Sequence, residues 1–420
     1  SAASDVYKRQ VDTVQICEHH FHRFDSGILF KEAGQRRVLH MCVPNCDLSG
    51  SLIVCADKHN GIWVMAKYAN ITGWGKCMPP AVMTNEDMAT VLDTTDEWIK
   101  TRTGISERRV SHVPMSDLAA VAGFRALAAA AAEPEEVDLL IVATCTPDTV
   151  IPSTAAHVQK KMGAANAAVM DLNAGCSGFI YSLEVATAMM RAAGYKKALV
   201  IGGERITWFL NWSLRDTAVL FGDGAGAVLL EPSEEESGLL ASHLGCEGEV
   251  LEALLVPNFG TAGDRFIQDY HKFNVSFDGR EIFRRAVRGM AREIKLVMSE
   301  LKMSNEDIDV IIPHQANARI IESLAHHLGV PMSQVALNIQ HYGNTSAATI
   351  PVALCELLAE GRIKPGDNLL LAAFGAGLTR GAGLIRWGER VTPLAESDAE
   401  LPPCEQTALE IMSDAIKHTG

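Results

Sequence analysis

After residue 65 the apolar and polar positions of this 420-residue chain fall into two alternating periods. Short apolar runs with strand character occupy residues 68–73, 137–143, 167–172, 198–203, 308–312, 368–373 and 381–387, and longer stretches such as 179–193 repeat their apolar residues at helical spacing. Thr84-Asn-Glu-Asp-Met88 reads as a capped helix start, and residues 405–417 read as a short amphipathic helix after a proline-rich, acidic connection. Residues 1–64 differ. They mix His19, His20, His22, His40 and His59 with Cys17, Cys42, Cys46 and Cys55 without a sustained helix or strand period.

The pattern also repeats. Residues 137–143 correspond to 308–312, Lys160-Lys-Met-Gly163 corresponds to His326-His-Leu-Gly329, and each half then runs through a strand into Gly175-Cys-Ser or Gly343-Asn-Thr. Both halves continue as strand, glycine-rich turn, strand. Strand and helix alternating in two related halves predict an α/β fold of two mixed sheets facing one another across helices. Cys176 and Asn344 then stand at equivalent positions. Phe221-Gly-Asp-Gly-Ala-Gly226 lacks the spacing of a dinucleotide-binding loop, and its apolar flanks predict a hairpin-like turn. Ser233-Glu-Glu-Glu-Ser237 is an acidic surface turn between the halves.

Composition narrows the function classes. A formal net charge of −14 offers no general field for nucleic-acid phosphates, so any acidic partner needs a local basic patch. The ten cysteines are scattered in a chain too long to need a disulfide framework, which suits a reducing cytoplasm. No apolar run approaches the roughly 20 residues of a membrane span. The Cys42 and Cys46 spacing and the nearby histidines lack the paired arrangement of a metal site, and no metal is expected.

Candidate chemistry lies where strands end. Cys176 sits on a strand-to-helix turn with Gly175 and Gly178 beside it, where the unpaired N–H groups of the following helix favour a thiolate. His314 ends the strand at 308–312, and Asn344 precedes another helix. Taken singly, each has a structural reading: a buried apolar thiol, a core histidine, a turn asparagine. Together they mark the strand ends where sites of open α/β sheets assemble.

In this order, Asn173-Ala-Gly-Cys-Ser-Gly-Phe179, Pro313-His-Gln-Ala-Asn317 and Tyr342-Gly-Asn-Thr-Ser-Ala-Ala348 resemble β-ketoacyl-acyl carrier protein synthase III of the thiolase superfamily, from about Met65 to Trp387. The resemblance implies a five-layered αβαβα thiolase fold. Residues 65–239 would form the half with the nucleophile and 240–390 the half with His314 and Asn344, with 391–420 as an appendage. Residues 1–64 would be a non-native or disordered extension, Met65 being the natural start. It further implies a homodimer without a cofactor, acting on an acyl-CoA and malonyl-acyl carrier protein and initiating fatty acid synthesis.

The same resemblance assigns residues. Cys176 would take the acyl group, and His314 and Asn344 would donate to the malonyl thioester oxygen as carbon dioxide leaves. An enolate needs neutral donors there, because a carboxylate would repel it. The N–H groups of Cys176 and Ala376 would form the oxyanion hole, Trp98, Arg102 and Arg215 would hold coenzyme A, and Ile151 would floor the acyl pocket. Ile151 replaces a common phenylalanine and Arg380 a common tryptophan, which leaves primer length open between acetyl and medium chains. Arg284, Arg288 and Arg292 share one helix face, and the resemblance places carrier-docking residues at Arg284 and Arg319. Two other readings stand beside this one: a related condensing enzyme or acyltransferase of secondary metabolism, and an inactive homologue that binds acyl carriers.

Overall fold

The computed structural model describes residues 67–257, 260, 261, 263, 266 and 275–419, together with the backbone of short strands between residues 22 and 64. The chain divides into two compact units, residues 1–66 with 191–194, and residues 67–190 with 195–420. In the first, His22–Arg23, Ile28–Ala33, Arg36–Met41, Ile53–Asp57 and Gly61–Val64 pair in sequential antiparallel order. The question of a metal site around Cys42 and Cys46, and of the status of Met65 and the segment before it, lies outside the described residues.

The second unit holds a sheet of nine strands among the described residues. In chain order they are β1 (Tyr68–Cys77), β2 (Leu139–Ala143), β3 (Ala168–Leu172), β4 (Ala198–Glu204), β5 (Gly224–Ser233), β6 (Gly238–Cys246), β7 (Val310–Pro313), β8 (Asn368–Gly375) and β9 (Thr379–Arg386). The spatial order is β3-β2-β4-β5-β1-β6-β9-β8-β7. The two halves of this ladder meet only through the pair Gly238 and Ala69. Each half repeats one plan: β3, β2 and β4 are parallel and β5 turns antiparallel, while β7 and β8 are parallel and β9 turns antiparallel. Val335 bridges Ile311 in parallel, where the first half has β3 beside β2.

Side-chain alternation along these strands sorts the helices into layers. Leu140 and Val142 of β2 and Leu199 and Ile201 of β4 face α1 (Met115–Ala130) and α2 (Thr154–Met162) on the outside of the first half. Their neighbours Leu139, Ile141 and Val200 face the middle. There they join Val310, Ile312, Leu369 and Leu371 of the second half around α3 (Gly178–Ala193) and the helix at Thr349–Ala359. Ile311, Leu370 and Leu384 point outward to α4 (Gly279–Leu301) and α5 (Ala318–Leu328). Thr349–Ala359 is α6. The order is α1/α2, sheet, α3/α6, sheet, α4/α5, the five layers that the family resemblance implies. Phe179, Ile180 and Leu183 of α3 are fully buried, each stabilising the middle layer by about 1.5–3 kcal/mol.

Local readings hold with adjustments. Thr84 caps Asn85–Val91 through a capping box with Asp87. The hairpin expected at 221–226 does not form. Arg215–Ala218 is a helical turn, Phe221 bridges Asn344, and Asp223 is buried, accepting from Ser111 N and from Thr207 N and Oγ1 at 2.7–3.0 Å. β5 pairs instead with β4 and β1. The C-terminal helix breaks at Met412 into Ala408–Ile411 and Ser413–Thr419, and Ala408 and Met412 pack into the core around Met83 and Ile99.

Candidate active site

Cys176 follows β3 on a 3-10 turn, Gly175–Ser177, that opens α3. Gly175 has φ +54°, and a Cβ there would lie 2.8 Å from Ala376 N. The turn is therefore pressed against the end of β8, which brings the backbone around Cys176 beside that of Ala376. Thr379 Oγ1 donates to Ala174 O at 2.7 Å and holds this contact. Cys176 is 7% exposed.

His314 directly follows β7 and is 3% exposed. Its N–H donates to Ala372 O at 2.8 Å, and its Nδ1 lies 2.7 Å from Thr349 Oγ1 on the first turn of α6. Burial lowers its pKa to about 3, so the ring is neutral in ordinary buffers. Asn344 is fixed at both ends of its backbone, its N–H donating to Leu220 O at 2.8 Å and its O accepting from Gly222 N at 3.1 Å. Ser346 N donates to Asn344 Oδ1 at 2.8 Å, which identifies Oδ1 as the acceptor and leaves the amide Nδ2 as the donor.

Cys176, His314 and Asn344 line one cavity of about 310 Å³. Apolar walls come from Phe221, Ile282, Met290 and Phe374, and its exposed end carries Trp98, Arg102 and Arg319. Arg215 lies 4.2 Å above the Trp98 ring and donates to Asp93 O at 2.9 Å, so it packs on the indole without lining the cavity itself. The arrangement joins a thiol, a neutral imidazole and an amide donor at the buried end of a tunnel whose outer end is aromatic and cationic. That suits covalent capture of an acyl group and stabilisation of an enolate.

Burial pushes the Cys176 thiol up to about 12, against the opposing influence of Ser346. The sequence reading expected a stabilised thiolate at the start of α3. At the buried end of this cavity the loss of hydration outweighs the helix terminus, so the resting residue is a thiol. Ile151 is 87% exposed and is not part of the cavity wall of its own chain. Arg380 turns away from the cavity. Its Nε donates to the buried Glu293 carboxylate of α4 at 2.5 Å and its Nη1 to Glu247 at 3.1 Å, so it does not border the acyl space. Arg284 is exposed and pairs with Glu281 at 2.7 Å, whereas Arg319 lines the cavity 6.0 Å above the Phe283 ring. Arg288 and Arg292 are exposed on the same face as Arg284.

Sequence reasoning passed over Thr349, Ser346 and Glu204. Thr349 and Ser346 lie within five residues of Asn344, and a strand ending in a glutamate among small apolar residues was the available signal for Glu204. Among the described residues no group of three or more histidine, cysteine or carboxylate side chains is placed to hold a metal ion.

Two sheets related by an internal repeat, stacked about a pair of central helices, with a cysteine and an asparagine at the matching turns, define the thiolase class of enzymes. Within that class, residues 170–248 match the family described as 3-oxoacyl-[acyl-carrier-protein (ACP)] synthase III, and residues 298–387 match its C-terminal part. The chain is 56% identical over 351 residues to the beta-ketoacyl-[acyl-carrier-protein] synthase III 2 of Vibrio cholerae, covering 84% of this chain and 97% of that protein. The solved 3-oxoacyl-[acyl-carrier-protein] synthase III of Aquifex aeolicus aligns with a TM-score of 0.72 and 43% identity, over 76% of this chain and all of that one. The corresponding Pseudomonas aeruginosa structure gives 0.72 at 36% identity, over 77% and 99%. The chain belongs to the β-ketoacyl-acyl carrier protein synthase III family.

Proposed function

We propose that the chain joins an acyl-CoA primer to malonyl-acyl carrier protein with loss of carbon dioxide, giving the 3-oxoacyl-carrier product that initiates fatty acid synthesis, and that Cys176, His314 and Asn344 perform the chemistry. The observation that carries this is their convergence at the buried end of one cavity, with both polar partners neutral. Cys176 attacks the primer thioester, and the N–H groups of Cys176 and Ala376 stabilise the tetrahedral oxyanion. The malonyl carbonyl then lies against His314 and Asn344, whose N–H donors stabilise the enolate as the carboxylate departs. The carbanion closes on the acyl-enzyme. The chemistry needs no cofactor beyond the two thioesters.

Trp98 with Arg102 and Arg215 is the proposed nucleotide clamp for coenzyme A, and Arg284 and Arg319 the docking point for the acidic carrier. A homodimer is supported by β3, which among the described residues pairs on one side only and carries Val169, Met170 and Leu172, and by the exposed Val150 and Ile151. In that dimer Ile151 would floor the partner's acyl pocket. We assign residues 65–239 and 240–390 as the two halves and 391–420 as an appendage. No helix among the described residues is long and apolar enough to cross a membrane, and Cys77, Cys145, Cys176, Cys246, Cys355 and Cys404 are free, which supports a cytoplasmic site of action. An intact chemical set at the cavity end favours this function over a carrier-binding homologue.

Intact-mass measurement after incubation with a panel of acyl-CoAs tests the first step, and carbon dioxide release from malonyl-carrier protein tests the second. Cys176→Ser should lose stable acylation. His314→Ala and Asn344→Ala should keep acylation and lose condensation by about 100-fold or more. Equal loss of both steps in either variant would refute this division of roles.

A further inference from the structure

Arg108, on the strand Glu107–Val110, carries a guanidinium with no exposed surface. Among the described residues its hydrogen bonds all go to neutral acceptors. Nη1 donates to Asn85 Oδ1 at 2.9 Å and to Met83 O at 3.2 Å, and Nη2 donates to Val219 O at 2.8 Å. Burial lowers the pKa only to about 10, so the group is charged in ordinary buffers and these bonds are charge-assisted. Burying a cation without a carboxylate in contact lowers stability, which directs attention to what the two ends of the fork join.

Nη2 ends on the segment that grips Asn344. Val219, Leu220 and Phe221 line the cavity, and within this segment Leu220 O accepts from Asn344 N at 2.8 Å while Gly222 N donates to Asn344 O at 3.1 Å. Phe221 and Asn344 thus pair as an isolated parallel bridge, with no neighbouring rungs to hold its register. The Arg108 stem lies against the same contact. A Cβ on Gly222 would stand 3.0 Å from Arg108 Cβ, and one on Gly343, at φ +63°, would stand 3.3 Å from it. Nη1 ends on the nucleotide side. Asn85 Nδ2 donates to Asp96 Oδ1 at 2.9 Å and to Ile105 O at 2.8 Å, at either end of the helix Asp96–Thr103 that carries Trp98 and Arg102.

Resting on the reading of Asn344 as an enolate donor, we infer that Arg108 is a positioning residue for the decarboxylation step, its guanidinium fixing the segment Val219–Gly222 and, through that segment, the side-chain amide of Asn344. Two restraints aim Asn344 Nδ2: the backbone bridge to Leu220 and Gly222, and the bond from Ser346 N to Oδ1. The bridge is the restraint that Arg108 reaches. Cys176 and His314 are held by other groups, the first through the Thr379 Oγ1 bond to Ala174 O and the second by Ala372 O and Thr349 Oγ1. Loss of the fork therefore moves one of the two enolate donors and leaves the acylation machinery in place. A donor displaced by even part of its bond length no longer meets the oxygen where negative charge develops.

The test pairs rapid-quench acylation of Cys176 by acyl-CoA with malonyl decarboxylation by enzyme acylated beforehand. Arg108→Lys keeps the stem and the charge, but a single ammonium cannot span Asn85 Oδ1 and Val219 O. Its kcat for decarboxylation should fall at least about 10-fold, with the acylation rate and the KM for malonyl-carrier protein retained. Amide hydrogen exchange gives a second readout: Gly222, Asn344 and Ser346 should exchange faster, and His314, which donates to Ala372 O, should not. Asn85→Ala removes the Nη1 anchor while leaving Arg108 in place, and should slow the same step in kcat even if Arg108→Lys fails to fold. Decarboxylation at the unaltered rate in either folded variant, or equal loss of both steps with faster exchange at His314 as well, overturns the positioning role. Failure of the unaltered protein to decarboxylate malonyl-carrier protein overturns the functional reading itself, and the positioning role with it.

Discussion

His314 Nδ1 and Thr349 Oγ1 lie 2.7 Å apart, and the single hydroxyl hydrogen between them decides what His314 presents to the cavity. Thr349 Oγ1 also donates to Ser346 O at 2.9 Å, a carbonyl that accepts from the Thr349 backbone N–H as well. Donation of an enolate-stabilising hydrogen from Nε2, as the proposed function requires, has the hydroxyl hydrogen turn from Ser346 O to Nδ1, and the carbonyl keeps its backbone bond when it does.

Thr349→Val should shift His314 toward the other tautomer and slow condensation on the order of 100-fold, with acylation of Cys176 retained. Thr349→Ser should restore condensation. Imidazole nitrogen chemical shifts provide the direct check, and an unchanged tautomer in Thr349→Val would defeat the argument.

The His314 ring also leaves a mark on stability. Its pKa falls from the ordinary 6.5 to about 3 on folding, so the unfolded chain takes up a proton below pH 6.5 that the folded one refuses until about pH 3. The sign follows: the neutral ring costs nothing above pH 6.5, and stability is lost as pH falls through the window from 6.5 toward 3. Between pH 7 and 5 the unaltered protein should lose about 2 kcal/mol more than His314→Gln, measured by denaturant unfolding. Parallel pH dependence in the two proteins would show that the ring titrates normally.

Much of this was legible because it is periodic or local. The repeat from 137–176 to 308–344 gave the two halves, since strands and turns in equivalent order leave equivalent apolar spacing. Cys176 and His314 follow strands as expected, whereas Asn344 follows the helical turn Ile339–Tyr342 instead of a strand. What escaped depends on pairing between distant segments. Phe221 bridges Asn344 across 123 positions, which removed the expected hairpin, and Arg380 reaches Glu293 across 87. Glu204 looks like the end of an apolar strand until Ser346, 142 positions later, is folded against it. The thiolate expectation failed for a related reason: a helix start is visible in sequence, but the walls that exclude water from Cys176 are not.

Ile151, exposed in its own chain, gives a test of the dimer reading and of primer length together. If it floors the partner's acyl pocket, Ile151→Phe fills space there without touching Cys176 in the same chain. Acylation by octanoyl-CoA should fall at least about 10-fold relative to acetyl-CoA, with sedimentation unchanged. Equal effects on the two primers would remove Ile151 from the pocket.

Arg284 and Arg319 differ in a way that sharpens the carrier-docking proposal. Arg319 lines the cavity beside Trp98 and Arg102, whereas Arg284 lies outside it on the exposed face shared with Arg288 and Arg292. Reversal at Arg319 should therefore weaken coenzyme A and carrier protein together, and reversal at Arg284 should weaken the carrier alone. Arg284 is partly occupied by its ion pair with Glu281, an exposed contact that contributes little to stability. Arg284→Glu should raise KM for malonyl-carrier protein several-fold at low salt, leave acylation by free acyl-CoA unchanged, and lose its effect as ionic strength shortens the screening length below about 8 Å. An Arg284→Glu variant that slows both half-reactions equally, at every salt concentration, would show that the arginine supports α4 rather than receiving the carrier.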